Sequence, residues 1–326
     1  MDNPKSPHIS IIIPCYNSSL FLRKCLGALE AQTYRDFEVL FVDDCSKDDT
    51  YEKLSEYIAL SRLNARVLRN DRNRGPAYSR NRAIDVAVGD WIAFCDADDW
   101  YESDFLEKMY LSAQQNDADL VMCEYRKVFE SHKKNTEIHY LQNLSHDFSN
   151  EDAMAYSKSS LCLLLLKKTI VGDVRIPNLR NGEDIAVVPC LEMQATRITV
   201  VREPLYNYYI RGESVSNCIS DTICNSLFRA FEFIETGFGS KYPVLLEFLG
   251  IKIVLYGAVL NAFKANTDIS GIIGIVDGFT EKYPQWVCNR YFGTLPVFKR
   301  LFLHCVKHRF WRMAKAMARI HAKFSI

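Results

Sequence analysis

The sequence predicts an α/β fold, a mostly parallel sheet flanked by helices with a helical C-terminal extension. Three observations predict it. Over the first 130 residues, short β-branched apolar runs alternate with helix-length amphipathic segments. Those runs end on polar clusters instead of hairpin turns. Beyond Asp221 the pattern turns helical, in CNSLFRAFEFIE and VLLEFLGIKIVLYGAVLNAF. The expected division is 1–218 and 219–326.

The elements follow in order. His8 to Ile13, ending at Pro14, reads as a buried strand. Ser18 or Ser19 can cap a helix running to about Gln32. Phe37 to Val42 is a second strand, stopped by Asp43-Asp44. Thr50 to about Leu60 is an amphipathic helix, and Ala65 to Leu68 a third strand. A helix opens at Pro76 and runs to about Val88. Gly89-Asp90 turns the chain into a fourth strand, Trp91 to Cys95, stopped by Asp96-Ala97-Asp98-Asp99. Strands and helices alternating at this length make a parallel sheet covered on both faces. Residues 131–215 are less regular, with a polar stretch, the apolar run Leu161 to Leu166 and the segment Asn181-Gly182-Glu183-Asp184-Ile185.

Composition narrows the class. The chain has 326 residues, 48% hydrophobic and 25% charged, which argues against long-range disorder. Lys plus Arg and Asp plus Glu both number 40, so no wholesale polyanion or nucleic-acid binding is expected. The balance hides an asymmetry, because residues 296–326 hold eight Lys or Arg and no acid. Eleven cysteines at irregular spacing, without a CxxC pair, suit a reducing compartment better than a disulfide framework or zinc site. No signal peptide is legible at the N-terminus. The most apolar stretch, Ile253 to Phe263, is too short to span a bilayer.

In open α/β sheets ligands bind beyond the carboxyl ends of the strands. Three such ends carry polar clusters: Pro14-Cys15-Tyr16-Asn17, Asp43-Asp44-Cys45-Ser46 and Asp96-Ala97-Asp98-Asp99. Carboxylates crowded there repel unless a cation joins them. Oxygen-only ligands suit Mg²⁺ or Mn²⁺. Asp96 and Asp98, two apart on an extended segment, share a face. The GxGxxG and GxxxxGK[ST] loops are absent from the sequence, which disfavours a dinucleotide dehydrogenase or a P-loop NTPase.

These pieces together resemble glycosyltransferase family 2, with its GT-A, Rossmann-like nucleotide-sugar fold. Five match in order: Pro14 to Asn17, FEVLFVDDCSKDDT (37–50), NRGPAYSRNRAI (73–84), GDWIAFCDADDW (89–100) and NGEDIAVVP (181–189). A weaker sixth is YNYYIRGESVSN (206–217). The resemblance implies an inverting, metal-dependent glycosyltransferase with a UDP-sugar donor. It places Pro14, Tyr16, Asp44, Arg80, Asp96 and Arg211 at the donor, Asp98 on Mn²⁺ or Mg²⁺, and Asp184 as catalytic base. It leaves Asp43 undecided and gives Asp99 a supporting or capping role. Glu213 stands where family members often have a His. The acceptor implied is a glycan or polyprenyl-linked hydroxyl in surface-polysaccharide synthesis.

Residues 296–326 read as one amphipathic helix, with Phe310, Met313, Met317, Ile320 and Phe324 on one stripe and Arg312, Lys315, Arg319 and Lys323 opposite. Such a helix lies on anionic lipid or packs on the body, and both stay open. The expected location is the cytoplasm, with peripheral contact at the inner face of the cytoplasmic membrane. Two rival functions are a nucleotidyltransferase, which needs a basic phosphate-gripping loop after the first strand, and a non-catalytic sugar-nucleotide or membrane-associated binding protein, which would lack the DxD or the ED base.

Overall fold

The first strand, Ile9–Cys15 (β1), is buried on both faces, as its isoleucine-rich run requires. In this computed structural model, which describes residues 7–130, 134–172, 174–179, 181–210, 221–238 and 241–324, β1 sits inside a sheet. The other strands are β2 (Phe37–Asp43), β3 (Ala65–Arg69), β4 (Trp91–Phe94), β5 (Trp100–Tyr101), β6 (Leu120–Phe129), β7 (Thr136–Ile138), β8 (Leu164–Lys167) and β9 (Ile198–Ile210). Among the described residues they form one nine-stranded sheet of order β3-β2-β1-β4-β8-β6-β9-β5, with β7 paired to β6.

Pairing is parallel through β3, β2, β1 and β4. Past β4 the sense is mixed. β8 runs antiparallel to β4 and β6, β9 runs parallel to β6, and β5 and β7 close in antiparallel pairs. Unbroken parallel pairing is therefore confined to the first four strands of that order, and beyond them only β6 and β9 pair in parallel among the described residues. Register levels the ends that matter: Cys15 faces Asp43, and Ile12 faces both Leu40 and Phe94.

The helices are α1 (Leu22–Glu30), α2 (Thr50–Leu60), α3 (Pro76–Val86), α4 (Phe105–Gln115), α5 (Asn150–Tyr156), α6 (Lys168–Val171), α7 (Glu183–Gln194), α8 (Asp221–Phe238), α9 (Pro243–Gly250), α10 (Val259–Lys264), α11 (Ile269–Lys282), α12 (Val297–Lys307) and α13 (Trp311–Phe324). α1 buries Leu22, Cys25, Leu26 and Leu29, a helical stripe. Its cap differs from expectation. The helix starts at Leu22 with no side-chain cap, because the Ser18 hydroxyl bonds the Tyr16 carbonyl and so is committed to the preceding loop.

The chain divides into two compact units. The first comprises 1–146, 160–178 and 191–211 and holds the sheet; the second comprises 147–159, 179–190 and 212–326. The second unit therefore takes in two segments from before the boundary expected at 218. In it, α9, a π-helical stretch Ile251–Ala258 and α10 run on as one rod, Pro243–Lys264. This 22-residue helix is long and apolar enough to cross a membrane, contrary to the shorter span read from sequence, yet 72% of its apolar window is buried. Its residues Leu245, Phe248, Leu255, Val259 and Phe263 form the core of that unit.

The C-terminal stretch is two helices where the sequence suggested one. Arg309 adopts φ +57, the Phe310 N–H bonds the Cys305 carbonyl and the Arg309 N–H bonds that of Val306. That is a Schellman end with arginine in the place glycine usually takes. α13 then packs through Ala314 and Ala318, which are fully buried, while Phe310, Met313 and Ile320 are each more than half exposed.

Candidate functional site

Three strand ends and one helix meet in the first unit. Near the end of β1, Pro14 is half-buried opposite Val42, and beyond the strand Tyr16 stands exposed. Asn17 takes φ +50 and Cys45 φ +60, both left-handed. These kinks are held by cross-bonds. Asn17 Oδ1 accepts from the Lys47 N–H at 2.8 Å, the Asn17 N–H donates to Ser46 Oγ at 3.0 Å, and the Asp44 N–H donates to the Cys15 carbonyl at 2.8 Å. The β1 and β2 ends thus form one double loop.

Asp43 and Asp44 split their work. Asp43, fully buried, pairs with Arg69 Nε at 3.2 Å and accepts from the Ser46 N–H. That settles the undecided residue as a turn anchor. Asp44, also buried, accepts from Asn70 Nδ2 (2.7 Å), the Arg74 N–H (2.9 Å) and the Gly75 N–H (2.7 Å). A carboxylate has about four lone-pair sites, so three donors leave one for a ligand N–H. Gly75 sits at φ +87, a conformation that costs a side-chain-bearing residue about 1–2 kcal/mol. Pro76 follows as the first residue of α3.

Asn70 carries the link onward. Its Nδ2 also donates to Ser79 Oγ at 3.0 Å, one residue before Arg80. Arg80 is buried and its Nη2 donates to Asp96 Oδ1 at 2.7 Å. The guanidinium predicted to meet the donor therefore already holds the first acid of the DxD. Burial alternates along this turn: Asp96 and Asp98 are half-exposed while Ala97 and Asp99 are buried. The segment is not the extended one expected: the Asp99 N–H bonds the Asp96 carbonyl at 3.0 Å and closes a turn through Ala97 and Asp98.

Asp99 is the support beneath them. Its Oδ2 accepts from the Tyr206 hydroxyl at 2.5 Å and its Oδ1 from the Tyr209 N–H at 2.7 Å. Burial first, then the neighbouring Asp96 and Asp98, push its carboxyl well above the usual range. The buried Cys15 thiol is raised mainly by burial, with Asp43, Asp96 and Asp98 adding to it, so all three acids lie around the end of β1.

Among the described residues no three His, Cys, Asp or Glu side chains converge as a complete metal shell. A half-exposed Asp98 offers a hard oxygen ligand that fits Mg²⁺ or Mn²⁺ when phosphate and water oxygens complete the coordination.

Asp184 belongs to the second unit. It is half-buried in the first turn of α7, after Asn181 at φ +59. Gly182 packs against α8 so closely that a Cβ there would lie 3.3 Å from the Ser226 carbonyl. Leu179 and Ala186 bury against Ala230 of α8, fixing how the helix begins. Arg211 lies outside the described residues, as do Glu213 and Ser214.

Residues 10–162 match the family Glycosyl transferase family 2. That match spans just under half of the chain and supports membership of that family. The glycosyltransferase GlyG of Streptococcus pneumoniae is 28% identical over 222 residues, 64% of this chain and 72% of that one. The putative teichuronic acid biosynthesis glycosyltransferase TuaG of Bacillus subtilis is 26% identical over 212 residues, 65% of this chain and 82% of that one. The crystal structure of S. aureus TarS 1-349 in complex with UDP-GlcNAc superposes with a TM-score of 0.68 at 19% identity, covering 97% and 91% of the two chains. The fold is thus that of GT-A enzymes. The protein is a glycosyltransferase, which removes the nucleotidyltransferase and the non-catalytic binder.

Sequence reasoning about this glycosyltransferase missed Asn70 and Ser79, which tie Asp44 to α3, and the bond from Tyr206 to Asp99. Tyr206 was inside a recognised piece, and its hydroxyl role has no local signature. Asn70 had only its place after β3 to mark it.

Proposed function

We propose that this glycosyltransferase moves a sugar from a UDP-sugar to a hydroxyl of a glycan or lipid-linked acceptor in surface-polysaccharide synthesis, with inversion. The observation that carries the donor reading is the linked set Asp44, Asn70, Ser79, Arg80 and Asp96 across three strand ends. UDP-GlcNAc bound by TarS and the teichuronic acid assignment of TuaG support the donor and product classes.

Tyr16 would pack on the base, and the remaining lone-pair site of Asp44 would accept its N3–H. Asp96, fixed by Arg80, would take a ribose or sugar hydroxyl. Asp98 would hold Mg²⁺ or Mn²⁺, whose charge offsets that of the leaving diphosphate. Asp184 would take the proton of the acceptor hydroxyl while that oxygen bonds to the anomeric carbon and the bond to the diphosphate breaks. One displacement inverts the centre and needs one base.

The test is a panel of UDP-sugars assayed for UDP release with Mn²⁺, with and without lipid-linked acceptors. Asp184→Asn should lower acceptor-dependent release by about 10³-fold and leave UDP binding intact. Asp98→Ala should abolish the manganese-dependent part of UDP binding by calorimetry. Acceptor-dependent release surviving in Asp184→Asn places the base elsewhere, and no release from any UDP-sugar overturns the donor class.

A second reading concerns location. The half-exposed Phe310, Met313 and Ile320, on helices with eight basic residues and no acid, support peripheral contact with an anionic bilayer from the cytoplasm. Deleting 296–326 is a poor test, because Phe302, Leu303 and Val306 are core. Met313→Glu with Ile320→Glu should instead abolish co-sedimentation with phosphatidylglycerol vesicles at unchanged Tm. Undiminished co-sedimentation would remove this face from the contact.

A further inference from the structure

A cavity of about 590 Å³ opens at the amino end of β4, the end away from Asp96 and Asp98. Tyr110 of α4 and the buried Trp91 of β4 make its apolar wall, and the small side chains of Ala113 and Ala118 leave it room. The wall is braced on several sides. The Tyr110 ring meets Trp91 edge-on at 6.1 Å, stacks on His8 at 5.6 Å and lies 5.2 Å from Tyr34. Lys168 Nζ donates to the Ala87 carbonyl at 2.5 Å and the Lys168 N–H to the Asp90 carbonyl at 2.7 Å, which ties α6 to the turn before β4. All of these residues belong to the unit that holds the sheet.

The polar side of the cavity carries both signs of charge. Asp90 and Asp117 stand exposed on it, as do Lys167 and Lys168. Among the described residues, the side chains of Asp90, Gln114, Asp117, Lys167 and Thr169 make no hydrogen bond or ion pair within the protein. Elsewhere on α4 the charges do pair, since Lys108 meets both Asp104 and Glu203. Acids and ammonium groups that line one hollow without pairing are held apart across it. Two of each leave no net charge for an ion to answer. A phosphate there would meet two carboxylates, and a metal ion would meet two ammonium groups. A hydroxyl suits both, because it donates to a carboxylate and accepts from an ammonium. A ligand rich in hydroxyls that also offers apolar C–H faces to an aromatic wall is a saccharide.

We propose that this cavity binds a neutral oligosaccharide, with Tyr110 against the C–H face of one sugar and Asp90, Gln114, Asp117 and Lys167 exchanging hydrogen bonds with its hydroxyls. The volume falls within the range of ligand pockets, about 300–1,000 Å³. The DxD follows the opposite end of β4, so a glycan held here leaves the donor crevice free. The site goes beyond the donor reading and needs no UDP-sugar. It grips glycan away from the reacting atoms and takes no part in the displacement.

The experiment is fluorine NMR of the full chain labelled with fluorotryptophan, with the Trp91 resonance assigned by Trp91→Phe. The probes are maltotriose, chitotriose, trigalacturonate and inorganic pyrophosphate. A neutral trisaccharide, maltotriose or chitotriose, should shift the Trp91 resonance saturably, with or without UDP, and the two charged probes should leave it in place. Asp117→Ala and Lys167→Ala, both at exposed side chains, should each weaken that affinity about tenfold, at unchanged Tm and unchanged UDP binding. A Trp91 resonance that neither neutral trisaccharide moves overturns the proposal, as does an unchanged affinity in the Asp117→Ala, Lys167→Ala double variant. A stronger response to trigalacturonate or pyrophosphate overturns it too, because the cavity would then select charge. Failure here leaves UDP release untouched, so it is distinguishable from failure of the donor reading.

Discussion

Two regions of this glycosyltransferase face the same electrostatic problem with opposite signs. At the strand ends, Asp43, Asp44, Asp96, Asp98 and Asp99 crowd around the end of β1. In the helical unit, the Lys299 ammonium lies 4.6 Å over the Tyr256 ring and the His321 ring 6.5 Å from it. The first region meets the problem internally. Asp43 has Arg69, Asp44 has three N–H donors, Asp96 has Arg80, and Asp99 has Tyr206 and the Tyr209 amide. The second meets it with an aromatic ring under one ammonium and with depressed affinity for protons. Removing a charge from the first region should therefore destabilise the fold, and removing one from the second should stabilise it.

The sharpest way to break this contrast is Asp44→Ala. It leaves Asn70, Arg74 and Gly75 without their common acceptor in a buried setting, so a loss of about 2–4 kcal/mol is expected, with loss of UDP binding. Chemical denaturation measures it. A variant within about 0.5 kcal/mol of the parent would mean that water replaces the carboxylate without cost, and the internal solution would be illusory.

How much of this was legible in sequence differs between the two regions for a physical reason. The strand ends were readable because a parallel sheet levels its carboxyl ends. That rule placed Asp44, Asp96 and Asp98 in one unit before any coordinates. What stayed hidden were partners joined through space. Nothing local says that Asn70 reaches both Asp44 and Ser79, or that Arg80 turns to Asp96. The mixed half of the sheet was hidden too, since β8 and β9 join it from 164–167 and 198–210. In the helical unit the 3.6-residue period was visible but its direction was not. The large apolar stripe of α13 faces outward, and two alanines make the packing face. The break at Arg309 carried no glycine, asparagine or proline to announce it.

Gly75 tests whether the donor-site loop depends on backbone shape as well as on the Asp44 carboxylate. An added Cβ would have room, with Asn178 Oδ1 3.7 Å away, so the cost of Gly75→Ala comes from φ +87 alone. About 1–2 kcal/mol is expected, with weaker UDP binding, since the Gly75 N–H is one of the three donors to Asp44. Stability lost without any change in UDP affinity would separate the loop from the site.

Lys299→Met gives the smallest effect and the opposite sign. In the folded chain Lys299 titrates near 8, against an ordinary lysine value of 10.5. Below pH 8 both folded and unfolded chains hold the proton, and the folded one carries the full penalty of a crowded, half-buried charge. Between pH 8 and 10.5 the unfolded chain binds more protons than the folded one, so the parent's stability rises with pH across that window. Methionine keeps the apolar stem and removes the charge, and it gives up the contact with Tyr256. At pH 7 the variant should be more stable by about 1 kcal/mol, a few degrees in Tm. That advantage should shrink from pH 8 upward and vanish near 10.5. Parallel stability curves for the two proteins across that range would mean that Lys299 is not crowded at all, and its likeness to the strand-end acids would be lost.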